Sequence, residues 1–130
     1  MKWLLIAGGG ALGAVARYAL SVWINVRTGA GFPWGTFIVN LAGCLGIGIL
    51  LELSEFSIVP FELRILFVTG FLGAFTTFST FGWETSALVR DGEWLYTALN
   101  IAGSVILGIA MVFAGVFLAK GIIFLIRRPG

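Results

Sequence analysis

Four stretches of this chain stay apolar for the roughly 20 residues that a helix needs to cross a hydrocarbon layer about 30 Å thick, and no other feature restricts its fold as much. They run from about Trp3 to Ile24, Gly35 to Phe56, Leu63 to Val89 and Leu95 to Ala119. In such a medium every backbone N–H and C=O must be satisfied inside the protein, so each stretch is predicted as an α-helix. Between them, "NVRTGAGFPW" (Asn25 to Trp34), "SIVPFELR" with Pro60, and "RDGEW" (Arg90 to Trp94) carry the Gly, Pro and charges of turns. The chain is 59% hydrophobic and 11% charged with a mean hydropathy of +1.06, far from the make-up of a soluble domain. A cleaved leader over Met1 to Trp23 is disfavoured, because Arg17 and Tyr18 interrupt the place for a small-residue cleavage site. Residues 1–130 therefore read as one all-α integral membrane domain, and the function must reside within the lipid bilayer.

Several chemistries drop out early. There is no histidine, which removes the commonest metal ligand and general base, so an enzyme is not expected. Cys44 is the only cysteine and lies in an apolar run, where small-residue packing is the simplest reading. A net charge of +2 gives no reason to expect a nucleic-acid partner. Four spans put both termini on one side with Lys2, Arg64, Lys120, Arg127 and Arg128, against Arg27 and Arg90 in the opposite loops, which favours termini in the cytoplasm.

Polar residues inside a span are costly and usually face a bundle interior or a water-filled path. In the third span Thr77, Thr80 and Glu84 stand at i, i+3 and i+7, predicting one polar stripe, with Phe78 and Phe81 beside it. Gly70 and Gly73 weaken the helix just before, and a break near Gly73 would bare carbonyl oxygens suited to a small cation such as Na⁺. Asn40 lies at depth in the second span, where a neighbouring helix or a ligand must satisfy it. Asn100 and Ser104 share a face of the fourth, and Arg17, near the far end of the first, suits a positive vestibule. Gly9, Gly13, Gly43, Gly46 and Gly48 read as close-packing surfaces. Amide and hydroxyl donors with aromatic edges, and no Lys or Arg at mid-depth, suit a small hydrated anion that is bound and then released. Those properties do not separate fluoride from chloride.

On "GGALGAVARY" (Gly9 to Tyr18), "GTFIVNLAGC" (Gly35 to Cys44) and above all "GFLGAFTTFSTFGWE" (Gly70 to Glu84), the sequence resembles the Fluc (CrcB) family of fluoride channels over essentially its whole length. The resemblance implies an antiparallel, dual-topology homodimer in the inner cell membrane, each subunit with four transmembrane helices, the third broken. Two pores would export cytoplasmic fluoride passively. It further implies Phe78 and Phe81 as the pore-edge rings, Asn40 as the pore asparagine, and Thr77, Ser79, Thr80, Glu84, Asn100 and Ser104 as its polar lining or border. Arg17 would be the vestibule arginine, and the carbonyls of Gly73 and Thr76 from both subunits would hold a structural Na⁺. The chain departs from the family pattern at Ala74, where a glycine is common, at Asn100, where a ring is common, and in its charge asymmetry. A proton-coupled small multidrug exporter is the alternative; its chemistry needs a carboxylate in the first helix, which has none, while Glu52 and Glu84 lie towards helix ends.

Overall fold

The computed structural model describes residues 1–29 and 31–127; Ala30 of the first loop and Arg128, counted above among the terminal charges, lie outside the described residues. Helix α1 spans Lys2–Thr28 and α2 spans Trp34–Glu55. A third span of 30 residues, Phe61–Arg90, is composite. It begins as α3 (Phe61–Arg64), widens into a π-helical segment at Ile65–Leu72, tightens into the single turn α4 (Gly73–Phe75), and resumes as α5 (Phe78–Arg90). The last helix, α6, covers Trp94–Ile126. All four spans are long and apolar enough to cross a membrane.

Helix ends differ from the sequence boundaries for definite reasons. Asn25 to Thr28, expected in the loop, continue α1, which stops at Gly29 with φ 83°, a conformation glycine adopts without strain. Pro33 then precedes α2 and Pro60 precedes α3, each at the position where a missing N–H costs least. The final helix runs past Ala119 to Ile126, since Lys120 interrupts apolarity but not helicity.

Small residues bring the helices together. A Cβ on Gly9 would strike the backbone of Leu66, and one on Gly13 the carbonyl of Phe71, so α1 lies directly on the π-helical segment. Likewise Gly48 abuts Val112 and Gly115 abuts Leu45, which fixes α2 against α6. Such contacts replace the hydrophobic drive that lipid does not supply. Where these helices meet, Val39, Leu72 and Phe75 form a buried cluster, with Ala16, Leu20 and Phe71 packed around it.

Candidate functional site

The site grows from the point where the third span stops being helical. Thr76 (φ −85°, ψ 154°) and Thr77 (φ −149°, ψ 124°) are extended between α4 and α5. The glycine pattern predicts the weak point near Gly73; Gly73 is itself helical, and the interruption follows at Thr76 and Thr77. A partner from another helix explains the shift. The N–H of Thr77, which would close the helical ring onto the Gly73 carbonyl, donates instead to Asn40 Oδ1 at 2.9 Å. Asn40 Nδ2 in turn donates to the Thr77 carbonyl at 3.1 Å. One amide side chain thus replaces both main-chain partners of one residue, and one hydrogen of its NH₂ group remains for another acceptor.

Arg17 satisfies a second freed group: its Nε donates to the Ala74 carbonyl at 3.1 Å. Its place corrects two expectations. Because α1 continues to Thr28, Arg17 sits well inside the helix rather than near its end, and a cation does stand at depth, at the interruption. Its charge is held by a carbonyl dipole, the usual way a cation inside a span is accommodated.

Beyond the interruption, Thr77 caps α5, its hydroxyl accepting from the Thr80 N–H at 3.3 Å. It also donates to Thr80 Oγ1 at 3.1 Å and lies 3.3 Å from Ser79 Oγ. The expected helical stripe of Thr77, Thr80 and Glu84 is therefore interrupted: Thr77 stands outside the helix, and only Thr80 and Glu84 belong to it. A groove of about 410 Å³ runs beside this cap, lined by Asn40, Cys44, Thr76, Thr77, Phe78, Phe81 and Ser104 together with apolar neighbours. The Phe78 and Phe81 rings lie 5.5 Å apart and tilted by 38°, and Phe78 is 84% exposed. Ser104 Oγ is buried without a hydrogen-bond partner among the described residues.

Other predicted site residues fall elsewhere. Asn100 does not line the groove: it is 2% exposed and its Nδ2 donates to Thr85 Oγ1 at 2.9 Å. Glu84 accepts a 2.8 Å hydrogen bond from Thr36, a buried residue that sequence reasoning missed, and Glu84 Oε2 is buried without a partner among the described residues. Glu84 lines a separate cavity of about 500 Å³ below the first loop, with Asn25, Phe32 and Asp91. The signal for Thr36 is present in the sequence, because Thr36, Asn40 and Cys44 recur at i, i+4 and i+8 on one face of α2. Cys44 lines the groove as well as packing towards α6 near Gly108. Glu52, one of the acids weighed for exporter chemistry, lies 3.9 Å from Lys120 across α2 and α6.

The arrangement offers hydroxyl and amide donors and ring edges along a groove at depth. Comparison with known proteins points the same way. The family model described as "CrcB-like protein, Camphor Resistance (CrcB)" matches residues 4–116. The fluoride-specific ion channel FluC of Solibacter usitatus is 48% identical over 121 residues, covering 92% of this chain and 99% of that protein. The protein of the same name from Maridesulfovibrio salexigens is 46% identical over 123 residues, 94% of this chain and 98% of its own length. A third, from Chloroflexus aurantiacus, is 48% identical over 118 residues, 90% and 94% of the two chains.

Proposed function

This chain belongs to the CrcB family, and from that premise we propose that it is a fluoride-selective ion channel, not an enzyme, which lets cytoplasmic fluoride leave down its gradient. The observation that carries the reading is the groove at the helix interruption, where donors and ring edges converge in a family whose curated relatives are named for fluoride.

Fluoride gives up its hydration only if the path returns comparable hydrogen bonds without holding the ion. The second N–H of Asn40 and the Ser104 hydroxyl, which has no partner among the described residues, are suitable donors. Phe78 and Phe81 add the weakly electropositive edges of their rings, which attract an anion without the strength of a full charge. Arg17 is not among the residues that line the groove, and its Nε is tied to the Ala74 carbonyl. Glu84, with Thr36, borders the far side of α5.

The working unit is a homodimer of antiparallel subunits in the inner cell membrane. The groove is lined from α2, the third span and α6, but Phe78 lies on the outer surface of the chain; a second copy is the simplest source of a cover for it. A structural Na⁺ at the two-fold axis fits the backbone here. Thr76 is extended, and the Thr77 N–H that would otherwise occupy the Gly73 carbonyl is engaged by Asn40, so that carbonyl has lost its helical donor. When bound, the ion supplies charge compensation for carbonyls that hydrocarbon cannot solvate.

The test is passive efflux from proteoliposomes loaded with fluoride or with chloride. Fast fluoride loss with chloride retained is expected. Equal rates for the two anions, or a requirement for a proton gradient, would overturn the reading.

A further inference from the structure

Helix α5 carries Phe81, yet it is fastened weakly by apolar contact: Leu88 is the one residue of α5 that is buried. Three polar ties hold it instead. Asn40 grips Thr77 at its start, Thr36 bonds Glu84 on the side of α2, and Asn100 bonds Thr85 on the side of α6. The third tie leads straight to the ring. Asn100 Nδ2 donates to Thr85 Oγ1 at 2.9 Å, and that hydroxyl donates to the backbone carbonyl of Phe81 at 2.7 Å. Hydrogen bonds in such a chain polarise and strengthen one another in a low-dielectric interior.

We propose that Asn100 is a positioning residue for permeation: through Thr85 it sets the rotation of α5 against α6, and so the angle at which the Phe81 ring edge meets the groove. The inference rests on the reading of Phe81 as a pore residue. Asn100 itself touches no ion, because it is sealed away from the groove. It need not be essential to folding either. If Asn100 becomes Leu, the Thr85 hydroxyl keeps its own bond to Phe81, so α5 is left with no stranded polar group, only with freedom to turn.

The test uses the full chain with 4-fluorophenylalanine at position 81, reconstituted in liposomes for flux and observed by fluorine NMR. Asn100→Leu and Thr85→Val should each lower fluoride flux about ten- to a hundredfold, the scale on which a site misplaced by about 1 Å loses function. Both should shift or broaden the fluorine resonance. Combined, they should cost no more than either alone, while Thr85→Ser, which keeps the hydroxyl, should restore flux and resonance. Wild-type flux and an unmoved resonance in Asn100→Leu would overturn the proposal, as would additive losses. Should Asn100→Leu fail to assemble, the contrast between Thr85→Val and Thr85→Ser decides between the same two outcomes. A parent protein that passes chloride as fast as fluoride would refute the functional reading alone, since the resonance reports the tie independently.

Discussion

Replacing Asn40 by Leu removes both hydrogen bonds that stand in for the missing helical turn at Thr77, 2.9 Å to its N–H and 3.1 Å from its carbonyl. Within the protein, the two freed groups could recover helical partners only if Thr77 swung from its extended conformation back into the helix, which would undo the cap on Thr80. A buried polar group left unpaired costs ~1–3 kcal/mol, so two cost ~2–6 kcal/mol if the groove stays dry. Opposing this, polar contacts between helices in bilayers average only ~0.6 kcal/mol, because the unfolded chain finds other partners. Thr77 is half-buried and faces a groove that admits water, so the balance falls near ~2 kcal/mol for the pair. The expected outcome is a loss of about that size in denaturant titration of the detergent-solubilised protein, together with collapse of fluoride efflux. Asn40→Asp still accepts the Thr77 N–H but sets an oxygen against the Thr77 carbonyl in place of the Nδ2 donor, so it should cost stability as well, and its charge repels an anion, so flux should fall as far. If Asn40→Leu matched the parent in both stability and flux, the assignment of Asn40 as the cause of the interruption would be wrong.

Phe78→Ile and Phe81→Ile nearly keep volume and apolarity, so they should purify normally while fluoride efflux drops by at least about tenfold, as the loss of ring-edge attraction implies. A Cβ on Gly73 would meet nothing closer than Val68 O at 3.8 Å among the described residues, so damage from Gly73→Ala reports crowding by a partner or an ion. Weaker dimerisation in that variant, and in parent protein purified with a large organic cation in place of Na⁺, is expected by size-exclusion chromatography; Thr76→Ser should be tolerated. Gly48→Ala drives a methyl into the Val112 carbonyl and should cost ~1–3 kcal/mol in denaturant titration, whereas Gly121→Ala enters open space and should gain up to ~1 kcal/mol of helix propensity.

The four spans are legible in the sequence because bilayer thickness sets a length that composition reveals directly. Their ends are not, since a hydropathy window stops at Lys120 although a lysine can extend its ammonium outward while the helix continues. The π-helical turns at Ile65–Leu72 leave no sequence signal: nearly every residue there is apolar, so no periodicity distinguishes one helical pitch from another. Glycine places the interruption too early because the decisive partner, Asn40, belongs to a different helix. Asn100 and Ser104 share a face by their spacing, but four residues advance a helix by about 400°, leaving an offset of about 40°. That offset is enough for Ser104 to line the groove while Asn100 faces Thr85.

Helix α6, at 33 residues, is about 50 Å long, against a hydrocarbon slab of about 30 Å. The pair Glu52 and Lys120 is costly to hold in hydrocarbon and so favours a slab that ends near it on the side of the termini, while Arg127, further along, donates to the Phe56 carbonyl. Acyl-chain length thereby acts directly on the protein. Thin membranes leave the charged pair in the headgroup layer and the helix upright, while thick ones must swallow the pair or be pinched around it, at fractions of a kcal/mol per ångström. The lipid is thus part of the load that the glycine contacts between α2 and α6 carry.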